Sequence, residues 1–329
     1  MKKRALITGI SGQDGSYLSE YLLNLGYDVF GIVRRNSVAE NQQYRIEHIK
    51  EKLNIFYGDL TDQTSLEKIF TEVKPDEIYN LGAQSHVRIS FDIPQYTAQS
   101  NALGVLNILE AYKRLCPTAR FYQASSSEMF GLTIEDDGFQ RETTVMNPVS
   151  PYGCAKVFGY NIVRHYRRAY NLHACNGILF NHESPRRGSN FVTSKVIKGA
   201  CMIKLGLLDK IEMGNMDSYR DWGHSKDYVK AMHKIINHDK ADDFVISTME
   251  THSVRQMCEL VFNYLGMDYK QYVFQNEKYM RPEELPYLKG DSTKARTTLN
   301  WKPEYTFEET MIEMVDHWMD ILQNKPSLR

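Results

Sequence analysis

Cysteine is scarce in this chain, and what there is lies scattered. The five thiols (Cys116, Cys154, Cys175, Cys201, Cys258) are odd in number and show no C-x-x-C spacing. That argues against a disulfide framework and a cysteine zinc site, and fits a reducing compartment. Net charge is nearly absent too: 40 basic and 41 acidic side chains leave −1. No global field therefore points to nucleic acid or to an anionic membrane surface. No apolar run approaches the roughly 20 residues that a membrane span needs. Met1-Lys2-Lys3-Arg4 leads into a short run, Ala5-Leu6-Ile7, that enters a glycine turn at once, which reads as a strand and not as a signal peptide. There is no Gly/Ser linker, repeat or low-complexity tract. A soluble, cytoplasmic chain of one large or two modest domains is expected from its 329 residues.

What is present is an alternation of strand and helix patterns. Arg4-Ala5-Leu6-Ile7-Thr8 is a β-type run ending in Gly9-Ile10-Ser11-Gly12-Gln13-Asp14-Gly15. A helical pattern follows, with Tyr17, Leu18, Tyr21, Leu22 and Leu25 on one side, and stops at Gly26. Tyr27–Val33 is a second strand. In such a βαβ unit the glycines let backbone approach a pyrophosphate at a helix N-terminus. Turns attract glycine for steric reasons alone, and the spacing here is G-x-x-G-x-x-G. The position between strand and helix points to dinucleotide binding. An NAD site usually carries Asp or Glu after the second strand; this chain has Arg34-Arg35-Asn36-Ser37. A guanidinium pair suits a 2′-phosphate, so NADP is expected, the plain alternative being a solvated basic loop.

The alternation continues through a strand at Leu53–Tyr57 that runs into Gly58-Asp59-Leu60, where Asp59 can meet an adenine edge. A helix is expected over about 65–73, and a strand over Glu77–Leu81 running into Gly82-Ala83-Gln84-Ser85. A longer helix over about 96–115 and strands at Arg120–Ala124 and Ala174–Phe180 follow. The fold class is α/β: an N-terminal Rossmann-type, doubly wound parallel sheet over 1–180. A smaller C-terminal α/β substrate domain takes 181–329, with segments crossing back to the first. Beyond Phe191 the pattern loosens, with helices near 225–237, 253–265 and 306–322. Ligands of such sheets bind beyond the carboxyl ends of the strands. The stretches 9–15, 82–85, 125–128 and 181–183 lie there.

One stretch carries the chemistry: Ser150-Pro151-Tyr152-Gly153-Cys154-Ala155-Lys156. Pro151 suits a first helical turn, and residues four apart share a helix face, so Tyr152 and Lys156 are neighbours. A phenol of pKa about 10 is a poor base at neutral pH. A lysine ammonium beside it is expected to favour the phenolate and lower that value. A bare Y-x-x-x-K also occurs on ordinary surface helices, so context decides.

Read together, Ser125-Ser126-Ser127-Glu128, Tyr152 and Lys156 behind an N-terminal glycine turn resemble the extended short-chain dehydrogenase/reductase superfamily. Longer segments are similar to GDP-mannose 4,6-dehydratases: Ile7–Gly9, Gln13–Leu18, Gly31–Arg35, Tyr79–Val87, Asn176–Gly188 and Arg220–His224. Arg281-Pro282 and Trp301-Lys302-Pro303 extend the similarity nearly to the C-terminus. The long middle segments are specific to that family; the glycine turn and Y-x-x-x-K are not. Two departures stand out. The family usually shows Ser-Thr-Ser-Glu where this chain has Ser126, which keeps the hydroxyl but loses a rotamer-limiting methyl. Residues 132–147 also differ.

The resemblance implies an NADP-dependent hydro-lyase that turns GDP-mannose into GDP-4-keto-6-deoxymannose. Tyr152 would take the 4-hydroxyl proton as hydride leaves C4, and Lys156 would lower the tyrosine pKa and hold the nicotinamide ribose. Glu128 would remove the C5 proton, and Glu128 or Ser126 would protonate the hydroxyl leaving C6, to which the hydride returns. The cofactor would be held by Gly9, Ser11, Gly12, Gln13, Asp14, Gly15, Arg34, Asp59, Leu60, Leu81, Ala83, Ser85 and Tyr96. Tyr152, Lys156, His182 and Arg187 complete that set. The GDP-sugar would be held by Ser85, Glu128, Asn181, Val192, Lys195, Arg220, Arg281 and Glu284. His86, His224 and His252 have no metal-ligand spacing and read as satisfied structural histidines. Related enzymes pair through helices matching 96–115 and 151–170, so a homodimer or homotetramer is implied, with the 35–45 loop near a neighbouring cofactor. Open alternatives are a GDP-heptose 4,6-dehydratase, a GDP-sugar reductase or epimerase, and a non-catalytic NADP(H)-binding regulator. The last typically lacks the tyrosine or the lysine.

Overall fold

A computed structural model of the chain describes residues 2–35 and 43–324. Asn36 and Ser37 of the basic turn lie outside the described residues. The first six strands are β1 (Arg4–Thr8), β2 (Asp28–Val33), β3 (Leu53–Tyr57), β4 (Glu77–Asn80), β5 (Arg120–Ser126) and β6 (His173–Leu179). Short strands follow: β7 (Asn181–Glu183), β8 (Ile211–Met213), β9 (Tyr219–Arg220) and β10 (Trp222–His224). The last are β11 (Asp243–Ile246), β12 (His252–Ser253), β13 (Val273–Gln275) and β14 (Tyr287–Leu288). A seven-stranded parallel sheet runs β11-β6-β5-β4-β1-β2-β3. Its order reverses beside β1, the switch point at which doubly wound sheets bind ligands.

Alternation along β1 shows how the sequence fills both faces. Ala5 and Ile7 join a core with Leu18, Leu22 and Met232 under the Gln13–Asn24 and Ser225–Asn237 helices. Leu6, between them, joins Phe70, Ile108 and Val163 on the opposite face, under helices Gln63–Val73, Gly104–Leu115 and Pro151–Ala169. Each fully buried side chain of this size contributes about 1.5–3 kcal/mol. A separate core containing Ile197, Met257, Phe262 and Met314 holds the Val192–Lys204, Val254–Tyr264 and Phe307–Asn324 helices together. β11 and the helix before it pack with the large sheet although they fall late in the chain.

The expected 96–115 helix begins at Pro94 and carries a π turn at Gln99–Leu103. Such turns occur mostly as single bulges inside α-helices, frequently at functional sites. Here Asn101 bonds both ways with the backbone of Gln84, 2.8 Å to N and 2.8 Å to O, and so fixes the loop after β4. No helix among the described residues is long and apolar enough to cross a membrane.

Candidate active site

The turn after β1 is a cradle. Gly9 has φ +69°, and a Cβ on Gly15 would lie 2.3 Å from the Gly9 carbonyl oxygen. Only bare backbone fits there. The helix that follows starts at Gly12 without a side-chain cap, so its first N–H groups are open to an anion. This donor set fits a dinucleotide pyrophosphate.

The next two residues bind protein. Gln13 Nε2 donates to the His182 carbonyl at 3.1 Å, and Ser184 Oγ donates to Gln13 Oε1 at 2.7 Å. His182 Nε2 lies 2.8 Å from Asp14 Oδ2 while Nδ1 lies 2.8 Å from the Phe180 carbonyl. A carbonyl takes only a donor, so Nδ1 carries hydrogen. Burial is the largest single influence on both partners and opposes their charges, but the partner's charge and hydrogen bond, helped by Arg187 and Gln13 at Asp14 and by the Phe180 carbonyl at His182, together outweigh it: Asp14 is held below the usual carboxylate range and His182 above the usual imidazole range. The glycine turn is thereby tied to β7.

Around the rest of the expected cofactor groove, the Arg34 guanidinium carbon stands 5.5 Å from the Tyr96 ring centre. Asp59 Oδ1 accepts from the Thr61 amide and hydroxyl, both at 2.9 Å. The Leu60 side chain fills the space beside Gly82 and Gly104, and the Ser11 carbonyl accepts from Arg45 Nη1 at 3.5 Å.

A cavity of about 530 Å³ opens at the carboxyl ends of the strands. It brings together Asp14, Leu81, Ala83, Ser85, His182 and Arg187 with Asn181, Val192, Lys195, Arg220, Arg281 and Glu284. Ser126, Glu128, Tyr152 and Lys156 line it as well. Gly9, Ser11, Gly12, Gln13, Gly15, Arg34, Asp59, Leu60 and Tyr96 are not among its lining residues.

Local structure explains the reactive group. Ser150 caps the helix by accepting from the Gly153 amide at 3.0 Å, and Pro151 takes its first turn. Tyr152 and Lys156 then follow on one face. Lys156 Nζ donates to the Ala124 carbonyl at 2.7 Å and sits 5.6 Å from the Tyr152 ring centre. β5 runs two residues further than the sequence pattern predicts, to Ser126. Ser126 Oγ accepts from the Glu128 amide at 3.3 Å and stands beside the Tyr152 phenol, whose ionised form it favours. Glu128 is buried; its Oε1 lies 3.5 Å from Arg281 Nη1, and Oε2 has no protein partner.

The expected lowering of the tyrosine pKa does not hold for the chain alone. Burial pushes the Tyr152 phenol up to about 12, with the Ser126 bond opposing and the Glu128 charge adding to the rise. Burial likewise brings Lys156 down to about 8. Desolvation, invisible in a four-residue spacing, dominates, and the cation that opposes it at the phenol is Arg187.

The serine at 126 gains a reason. The Glu128 amide anchors its oxygen, which does part of what a threonine methyl does by limiting rotamers. We therefore expect Ser126→Thr to leave turnover within about threefold. Ser126→Ala, which loses a hydrogen bond worth about 1.5–3 kcal/mol when its partner becomes charged, should cost at least about tenfold. Steady-state rates of the two variants check this; equal rates for Ser126→Ala and the parent would contradict it.

Two cavity residues stand outside the expected ligand sets, and one is a histidine satisfied by hydrogen bonds as expected. His86 Nε2 is 2.9 Å from the Asn190 carbonyl and Nδ1 accepts from the Ile89 amide at 3.3 Å, which clips the loop before the Val192 helix onto the loop after β4. Tyr279 holds its ring centre 3.9 Å from Lys195 Nζ. Neither has a spacing that signals it. His224 is satisfied by Glu313 at 2.7 Å and by the Lys226 amide at 3.0 Å. His252 is not: it stacks on Phe307 at 3.9 Å, but its buried Nε2 has no partner. Packing holds it where hydrogen bonds were expected. Among the described residues no group of three or more His, Cys, Asp or Glu side chains could hold a metal.

The family model described as GDP-mannose 4,6 dehydratase matches residues 6–314. The human GDP-mannose 4,6 dehydratase is 49% identical, over 98% of this chain and 93% of that protein. The chain belongs to the GDP-mannose 4,6-dehydratase family. The fold of the family is shared more widely. A UDP-glucose 4-epimerase from Thermotoga maritima, solved with UDP-glucose, superposes with a TM-score of 0.85 at 23% identity, over 97% of this chain and 99% of that one. The protein RMD from Pseudomonas aeruginosa, solved with NADPH, gives 0.80 at 22% identity, over 97% and 100%. At those identities the likeness speaks for the α/β architecture alone.

Proposed function

We propose that this chain dehydrates GDP-mannose to GDP-4-keto-6-deoxymannose and that it uses NADP to do so. Near-full-length identity of 49% to the human enzyme of that name supports the activity. The observation that carries the mechanism is the buried, unpartnered Oε2 of Glu128 in the same cavity as Ser126, Tyr152 and Lys156. A simple dehydrogenase needs the last three; only elimination needs a further base near C5.

Bound nicotinamide supplies the hydride acceptor for C4, the hydride donor for C6 and, while oxidised, a positive charge that favours the phenolate. Tyr152 takes the proton of the 4-hydroxyl, with Ser126 hydrogen-bonded to its oxygen. The 4-keto group acidifies C5, and Glu128 takes that proton. Glu128 returns it to the hydroxyl leaving C6, so one water departs. Tyr152 gives the proton it has held to C5, and both side chains end as they began. Lys156 holds the nicotinamide ribose and keeps a cation beside the phenol. Asn181, Val192, Lys195, Arg220, Arg281 and Glu284 hold the GDP moiety, where forked guanidinium donors suit a diphosphate. Ser85 serves both ligands. His182 and Arg187, late in the chain, stand on the cofactor side with Asp14, Leu81 and Ala83.

Incubating the purified chain with a panel of GDP-hexoses and GDP-heptose, without added cofactor, tests the reading. Loss of water from GDP-mannose is expected; its absence, with turnover of GDP-heptose alone, would reassign the substrate. The cofactor choice has its own test. The Arg34 guanidinium stacks beside Tyr96 at the end of β2, where an NAD site has an acid. Arg34→Asp should weaken NADP binding at least about tenfold more than NAD binding, measured by titrating the refolded, cofactor-stripped chain. Equal affinity of the parent for both would count against NADP. The chain is also proposed to act as a homo-oligomer, since Leu103 and Phe158 are exposed on the two helices through which relatives pair; a monomer in light scattering at micromolar concentration would refute that.

A further inference from the structure

We infer that Arg281 is a positioning residue for Glu128, linking recognition of the diphosphate to the aim of the elimination base. The inference rests on the reading of Glu128 given above. Glu128 sits just past the end of β5, and its one ion pair among the described residues is with Arg281, 153 positions away in the chain and also lining the cavity. The contact, 3.5 Å from Oε1 to Nη1, is long for a charge-assisted bond, which is normally about 2.7–2.9 Å. The other carboxylate oxygen is buried and bonds to no protein atom. An unpaired buried acceptor is costly unless something arrives to use it.

Arg281 has donors to spare. A guanidinium carries five N–H bonds in a planar fork and can hold two anions at once in fixed geometry. Its backbone is fixed separately, through its amide to Glu284 Oε1 at 3.0 Å. Burial works against the charge on Arg220, which also lines the cavity, while Glu128 favours that charge and Arg281 opposes it, so the three charges already act on one another. When a diphosphate takes the free side of the Arg281 fork, the guanidinium stops moving. Its remaining edge then pins Oε1 and leaves Oε2 directed at the sugar. Binding energy from the unreactive end of the substrate is thus spent on orienting the reactive end. Lysine, a point charge on a flexible stem, can bind the diphosphate but cannot set the second partner's geometry.

The test uses the full chain and Arg281→Lys, at saturating GDP-mannose in deuterium oxide. Oxidation at C4 is followed by nicotinamide absorbance, and deprotonation at C5 by deuterium incorporation in mass spectra. Arg281→Lys should lower the ratio of C5 exchange to C4 oxidation by about 10–100-fold, the size of a mispositioning effect. Arg281→Gln should show the same split with a larger rise in KM. If KM rises but the ratio of exchange to oxidation stays at the parent value, Arg281 only holds the nucleotide and the inference is wrong. A parent chain that neither oxidises C4 nor exchanges C5 refutes the functional reading itself, which is a distinguishable result. The Arg281 side chain is a quarter exposed, so the variants should fold, and unchanged thermal midpoints confirm it.

Discussion

Replacing Glu128 by glutamine is expected to slow dehydration by about 10²–10⁴-fold, the usual contribution of a general base, while C4 is still oxidised. Glutamine keeps the shape of the side chain and can still occupy the space beside Arg281, but its amide cannot take a proton from C5. The variant should therefore accumulate the 4-keto sugar with its water still in place. Solvent deuterium should fail to enter C5. The parent in the same single-turnover experiment should show oxidation, exchange and water loss together. A Glu128→Gln chain that dehydrates at the parent rate would remove Glu128 from the mechanism.

Tyr152→Phe should fail one step earlier. The ring still fills its buried site, but the oxygen that receives the 4-hydroxyl proton is gone, along with its interaction with Ser126. C4 oxidation is expected to fall by about 10²–10⁴-fold, and every later step with it, so no C5 exchange should be seen. The contrast between the two variants is the informative part. Loss of oxidation in Glu128→Gln as complete as in Tyr152→Phe would mean that the carboxylate serves hydride transfer, and the division of roles would be wrong.

How much of this was legible in the sequence depends on how far apart in the chain the partners lie. The glycine turn and Tyr152–Lys156 are local, and their geometry follows from β1 ending at Thr8 and from Ser150 capping a helix with Pro151 in its first turn. Local spacing cannot report burial, which is why the Tyr152 phenol moves up and not down. Nor can it report that Glu128 meets Arg281, or that His182 meets Asp14 168 positions away. β11 is four residues long and lies behind the charged run Asp239-Lys240-Ala241-Asp242, so its place at the edge of the large sheet has no periodic signal. The two-residue strands β9, β12 and β14 are set by pairing with one another and not by propensity. Yet β9 carries Arg220 into the cavity. The long segments shared with the dehydratase family named Arg220, Arg281 and Glu284; no pattern in this chain alone would have done so.

The central claim is that one cavity oxidises, dehydrates and re-reduces a single sugar. GDP-mannose carrying deuterium at C4 tests it most directly. The account predicts a product lighter by one water that retains the deuterium, now at C6, with no cofactor consumed. Product without that deuterium, or oxidised sugar that keeps its water and consumes cofactor in equal amount, would contradict it.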